Sequence, residues 1–448
     1  MLDLSNFKGE LIKKILTELG SMKKEKEKAT SFISLKYDLP PVNLHRLLQF
    51  IHGNQVCYFK NKNGDEEYLA VGKIETFGNG ELITLGKVLK ENPEIKAFGG
   101  LRFSPTKEVS AEWQAFGEKT FFIPLIEWSK VQDEYFLKVN FPKNVLTDEE
   151  TKAKFIFKLE DILGLDTSEA SFLSAGSLKF STQSDVPEKK IWNNNIDFCL
   201  KNFKDSDLKK IVLARKKVYL QVKGLSPIQL FLEISSEAKS SYSFYLQMDE
   251  NNAFMSTTPE GLFHIEEKKL TIDAIAGTRP RGATPDEDYI EERDLKTSKK
   301  DLKEHRIVSR EIHHNLMVLC HSIKTLCNEK ILKLNHVQHL HTIFEGILNE
   351  DFNLDEILNG LHPTPAVGGS PKKMAMEMIE SLETFDRGLY ASPIGYLSYN
   401  KSEIAVGIRS ALFNNSNLHV FGGAGIVPGS DGPKEWQETQ SKMKSFLL

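Results

Sequence analysis

The chain has 448 residues, of which 40% are hydrophobic and 27% charged, with a formal net charge of −4. That length supplies an ample core, and the balance is ordinary for a globular protein. The slightly acidic charge excludes the basic surface of a nucleic-acid or membrane-surface binder.

Leu11, Ile12, Ile15, Leu16 and Leu19 repeat at helical spacing. The opening residues lack the basic, apolar and small-residue pattern of a secretory signal, and no apolar run reaches membrane-spanning length. The mixed-sign run from Met22 to Lys28 reads as a solvated helix end. Cys57, Cys199, Cys320 and Cys327 form no CxxC pair, so buried thiols are expected. These features point to the cytoplasm.

Tyr68–Gly72 and Lys119–Pro124 read as strands, and Ala97–Phe103 as a strand bent at Gly99 and Gly100. Residues 177–190 are polar, contain a proline and form the best linker candidate. They separate an N-terminal part, residues 1–189, from a second region, residues 190–448. Lys210–Leu220 is apolar on both faces and predicts a buried strand. Phe254–Ser256, Gly261–Ile265 and Leu270–Ala276 follow as antiparallel strands, with a turn at Glu266–Lys269. Residues 288–327 carry a long helical pattern, residues 393–427 return to strands, and Lys434–Leu447 is helical. Strand runs interleaved with helix runs, without regular βαβ alternation, predict an α+β fold.

Five segments carry residues that folding alone does not require. Lys210 shares a strand face with Val212 and Ala214, and a lysine in an apolar setting is a candidate base. Glu260 leads into an apolar strand, where burial would keep its carboxyl protonated and able to donate. Asp301 and Glu304 share one helix face, and Glu435, Glu438 and Lys442 share another. Carboxylates from two helices suit Mg²⁺, although Glu438 and Lys442 also fit an exposed ion pair. Arg409 is flanked by Ala405, Gly407 and Ala411, which leave room for a planar anion. The glycine run at 421–427 could form a backbone anion nest, and residues 361–369 form a proline-stiffened loop.

The order of the motifs is more specific than any one of them. KIVLAR (210–215), TPE (258–260), AIAGTRPRG (274–282), KEH (303–305) and HLHTIFEG (339–346) lead the series. LHPTPAVGG (361–369), DRGLY (386–390), IRSA (408–411), FGGAGIV (421–427) and EWQETQSK (435–442) complete it. Together they resemble the chorismate-utilising enzymes, strongly over residues 190–448 and patchily before, at AFGGLRF (97–103) and FFIPLIE (121–127). The resemblance implies one large α+β domain of two stacked, mainly antiparallel β-sheets with helices outside and the site in the cleft between them.

By position, Lys210 matches the family's general base for water and Glu260 its general acid. Glu304 and Glu438 match Mg²⁺ ligands, with Asp301 and Glu435 as acidic neighbours. Arg409 matches the clamp on the pyruvyl carboxylate. Gly277, Thr278, Gly423 and Gly425 match positions around the substrate carboxylates, while His339, Tyr390 and Lys442 match site-lining residues. A lysine in KIVLAR and Ala276 before the Gly-Thr pair resemble the branch that uses water rather than ammonia. The implied activity is that of an isochorismate synthase acting on chorismate with Mg²⁺ for menaquinone or siderophore synthesis. No obligatory amidotransferase subunit is implied, and the chain is expected to be a monomer. Salicylate synthase and a non-catalytic chorismate-binding protein are the alternatives. Tyr390, where some isochorismate synthases carry phenylalanine, bears on the first of them.

Overall fold

A computed structural model describes residues 4–22, 31–51, 55–164, 180–222, 226–238, 240–333 and 337–447. Residues 23–28 of the mixed-charge run and 177–179 of the expected linker lie outside these.

Among the described residues nineteen strands form one continuous hydrogen-bonded system. Its pairings resolve into two antiparallel runs. The larger takes, in spatial order, Phe32–Leu39, Glu134–Pro142, Phe121–Val131, Glu66–Phe77, Val56–Lys60, Tyr242–Asp249 and Asn252–Thr258. It continues through Ser410–Asn414, Asn417–Ile426 and Lys210–Leu220, with Thr182–Val186 and Gly369–Ser370 sharing the final edge. The smaller run is Cys320–Lys333, Val337–Leu348, Lys269–Pro280, Gly261–Glu266, Lys401–Val406, Pro393–Ser398 and Lys96–Gly100. The two are joined where Phe98 pairs with Phe122.

The runs stack face to face. Tyr396 of the smaller run packs on Phe59 and Tyr68 of the larger, with ring centroids 5.5 and 4.9 Å apart. Strand alternation divides the core: Cys57 and Phe59 face inward, whereas Val56 and Tyr58 face the outer helices. Those helices include Leu4–Met22, Glu149–Leu163 and Pro227–Glu237, which bury Ile15, Leu159 and Phe231. The helix Lys299–Leu319 covers the smaller run. This is the expected α+β architecture.

Several elements differ from the sequence expectation. The helical pattern of 288–327 divides into Pro285–Thr297 and Lys299–Leu319 at Ser298, whose side chain caps the second helix. From Cys320 the chain pairs with Val337–Leu348, so a long-range ladder overrides the local periodicity. Most of the expected linker is built into the fold, because Thr182–Val186 pairs with Lys216–Leu220 and a helix starts at Lys189. Asn252–Thr258 pairs with Tyr242–Asp249 and Ser410–Asn414, whereas Gly261–Glu266 pairs with Lys269–Pro280 and Lys401–Val406.

The Lys210 strand explains two motifs. One edge pairs with Gly369–Ser370 at residues 210–211 and with Thr182–Val186 at residues 216–220, leaving a gap. Buried backbone groups in such a gap need other partners. Val212 N–H donates to the Gly368 carbonyl at 2.8 Å, and Ala214 N–H to Glu383 Oε1 at 2.7 Å. Arg387 donates to the Val212 carbonyl at 2.8 Å and to Glu383 Oε1 at 2.6 Å. Glu383 and Arg387 are both buried. Replacing Glu383 with Ala leaves Arg387 unpaired in the core and is expected to lower unfolding free energy by about 3–5 kcal/mol. Chemical denaturation measures this, and a loss well below ~1 kcal/mol would contradict the role.

Candidate active site

The cleft is built where the chain changes sheets. It leaves the larger run at Thr258 and enters the smaller at Gly261, with Glu260 between. It leaves the smaller at Val406 and re-enters the larger at Ser410, with Arg409 between. Arg409 is therefore not in one strand with Ala405 and Ala411, as expected, but at a crossover with φ +48°. The crossovers are tied together: Thr257 N–H donates to the Arg409 carbonyl and Val406 N–H to the Glu260 carbonyl, each at 3.0 Å.

Lys210 and Gly425 lie on adjoining strands of the larger run. Lys210 is buried, and its Nζ donates to Glu304 Oε1 at 2.8 Å. The lysine thus meets a carboxylate rather than the purely apolar surroundings expected of it. Its chain lies over Gly425: a Cβ there would stand 3.0 Å from Lys210 Cε. The Lys210 charge, against burial, holds the Glu304 carboxyl below its usual range.

Lys442 donates to the Gly423 carbonyl at 3.0 Å and to Glu438 Oε1 at 2.6 Å. The i,i+4 pair envisaged as a surface feature therefore exists, but its lysine also reaches the glycine strand. Tyr390 stacks on Phe421 at 5.1 Å and presents its hydroxyl toward Gly423. Burial raises the Tyr390 pKa, and burial lowers that of Arg409. Burial also pushes Glu435 up, opposed by a Ser430 hydrogen bond and reinforced by Glu438.

In the smaller run Gly277 has φ +76°, which interrupts the ladder between Ala276 and Thr278. Thr278 Oγ1 and His339 Nδ1 are 2.9 Å apart. Burial, then the Arg409 charge, pulls His339 down to about 4, so its ring is neutral near pH 7. Asp301 packs beside Gly277 and accepts from Arg279 at 2.8 Å.

Glu260 completes the set. Loss of water pushes its carboxyl up to about 7, against the charges of Lys210 and Lys442 and with the help of Asp273. The expected base, acid and cations thus share one electrostatic neighbourhood. Sequence reasoning did not assign Arg215, which is wholly buried and donates to Asp185, Thr439 and Gln440 at 2.5–2.9 Å. Its guanidinium also lies 3.6 Å over the Trp436 ring. It clamps the Gly432–Leu447 helix, bearing Glu435, Glu438 and Lys442, to the Lys210 strand. The signal was an arginine directly after the apolar run Ile211–Ala214 in a strand read as buried, where a charge must be paired.

Among the described residues no three or more His, Cys, Asp or Glu side chains form a metal-holding group. Mg²⁺ does not require one, since one or two carboxylates with substrate and water oxygens suffice. Glu304 Oε1 stands beside Gly425, and the Glu438–Lys442 pair reaches the Gly423 carbonyl on the same strand, so acids from the two helices approach one strand. This hard-oxygen donor set fits a divalent cation.

The arrangement can perform acid–base chemistry on an anionic ligand. The family model described as chorismate binding enzyme matches residues 14–448, and the chain belongs to that family. It is 35% identical over 364 residues to the chloroplastic isochorismate synthase 2 of Arabidopsis thaliana, covering 80% of this chain and 64% of that protein. A chloroplastic isochorismate synthase of Catharanthus roseus matches at 32% identity, covering 83% of this chain and 65% of that protein. The chain thus spans just under two thirds of these plant relatives. The isochorismate synthase MenF of Escherichia coli is 29% identical, with 86% and 85% covered. The solved structure of MenF, described as the menaquinone-specific isochorismate synthase of Escherichia coli, superposes with a TM-score of 0.83 at 25% identity. That superposition covers 98% of this chain and 99% of the other.

A raised carboxyl pKa ties stability to pH. Glu260 moves from 4.5 unfolded to about 7 folded, so its contribution is full below 4.5 and is lost as pH rises through 7. Glu260→Gln removes that dependence. The variant should gain stability relative to the unsubstituted protein between pH 5 and 8, by about 1–3 kcal/mol in denaturation curves. A pH-independent difference would contradict the burial assigned to Glu260.

Proposed function

We propose that this protein is an isochorismate synthase, converting chorismate to isochorismate with Mg²⁺. The observation that carries this reading is a buried lysine, Lys210, whose charge acts on a carboxyl, Glu260, that loss of water pushes up to about 7, beside further cations. The names of the relatives and the motif order support the substrate.

For Lys210 to act as the base, its ion pair with Glu304 must first open and the ammonium give up its proton to solvent; the amine then takes a proton from water as the water oxygen bonds to carbon 2 of the ring. The ring double bond shifts and the carbon–oxygen bond at carbon 4 breaks. Glu260 gives its proton to the departing hydroxyl, which leaves as water. The base reaches the ring from a strand and the acid from a crossover, which keeps them from neutralising each other. Arg409 binds the pyruvyl carboxylate, with Tyr390 and neutral His339 lining that side. Lys442 and the backbone at Gly277, Thr278, Gly423 and Gly425 take the remaining anionic oxygens. Glu304 and Glu438 would hold the Mg²⁺, with Asp301 and Glu435 as neighbours. When bound, the ion offsets the charge of the ring carboxylate and orients it.

Water as nucleophile removes the need for an ammonia-supplying subunit, and the protein acts alone as a monomer in the cytoplasm. No helix among the described residues is long and apolar enough to cross a membrane, in keeping with that setting. The product serves menaquinone or siderophore synthesis.

Incubation with chorismate and Mg²⁺, followed by product separation, is expected to yield isochorismate. Salicylate with pyruvate would select the lyase reading, and unchanged chorismate with measurable binding the non-catalytic one. Lys210→Ala and Glu260→Gln should each lower turnover by about 100- to 10,000-fold while chorismate still binds. Full activity in either variant would contradict the roles.

A further inference from the structure

A second concave site lies on the outer face of the larger run. A cleft of about 750 Å³ is bounded by the Asn61–Gly64 turn, the end of the Pro227–Glu237 helix and Tyr135. Small-molecule sites typically occupy about 300–1,000 Å³. None of the residues placed in the active site lines it.

Its charge is one-sided. Lys60, Lys62 and Lys130 line it against one carboxylate, Glu67, which is engaged by the Tyr58 hydroxyl at 2.8 Å. Among the described residues Lys60 has no carboxylate within ion-pairing distance, and Lys130 reaches only the Gly64 carbonyl, at 3.5 Å. His45 adds a ring but no charge near pH 7, because burial and then Lys60 hold it down to about 4. It is fixed against Ser235 at 2.7 Å. Cations gathered in a concavity focus a positive potential inward and draw anions. The half-buried ring of His45, packed edge-on against the wholly buried Tyr58, offers a place for the uncharged part of a ligand.

We propose that this cleft binds a small polyanion bearing carboxylate or phosphate groups, held by Lys60, Lys62 and Lys130. Lys62 also links the cleft to the smaller run, pairing with Asp273 at 2.9 Å. Asp273 lies on the strand that carries Gly277 and Thr278, and it accepts from His341 at 2.9 Å. An anion in the cleft competes with Asp273 for Lys62, so its occupancy is felt on a strand of the active site.

Thermal unfolding in the presence of inorganic phosphate or of citrate, at ionic strength matched with sodium chloride, tests this. The protein should show a saturable rise in midpoint with at least one probe. Phosphate alone would indicate a phosphorylated ligand, and citrate alone a polycarboxylate. The Lys60→Ala/Lys130→Ala variant, and separately Lys130→Gln, should require at least about tenfold more probe for the same rise while keeping basal turnover. No saturable rise with either probe overturns the proposal, as does an equal rise in the variants.

Discussion

Two strand crossovers, bound to each other, set the geometry on which the rest depends. Where a chain leaves a sheet, its backbone groups lose their ladder partners and must find others. Here the Glu260 and Arg409 crossovers satisfy each other through Thr257 and Val406. Neither segment can shift alone, so an acid and a guanidinium stay together at the junction of the two runs. The Lys210 strand approaches from the larger run, and the helices bearing Glu304 and Glu438 close over it. Glu383 and Arg387 bond to the backbone of the Lys210 strand, Arg387 also lies 5.9 Å over the Tyr390 ring, and Arg215 joins that strand to the last helix. They hold the Lys210 strand and the last helix in register.

The electrostatics follow from that packing. Lys210 lies buried against Glu304, which offsets the cost of holding its charge away from water, whereas the Lys442–Glu438 pair is open to solvent. Among the described residues the Glu260 carboxyl has no such direct partner, and desolvation outweighs the two lysines in its field. Two carboxyls, Glu304 and Glu260, are therefore driven apart, one toward its ionised form and the other toward its protonated form. Divergent titration among neighbouring acids is how a site separates a ligand-binding role from a proton-donating one.

Much of this was readable beforehand. Lys210–Leu220 is a strand with the bounds read from its apolar run, because burial on both faces writes itself into composition. The turn before Lys269 was legible too, and Glu267 and Lys268 there both adopt positive φ. What periodicity could not supply was the partner of each strand. Residues 320–327 keep a helical spacing of apolar positions yet form a hairpin, because their bonding partner lies beyond residue 337. The same limit hid the crossover at Arg409 and the contact between Lys210 and Glu304, which lie 94 residues apart in sequence. Residue types and motif order named the participants, and the tertiary fold decided which touch.

The central claim, that Lys210 on its strand and Glu260 at its crossover act on one ring, is tested most directly by running the reaction in oxygen-18 water. Activation of water by Lys210 predicts one solvent oxygen in the product hydroxyl at carbon 2, with the substrate's original hydroxyl released. A product hydroxyl carrying only the substrate's own oxygen would contradict the account, because the group would then have moved without a base acting on water.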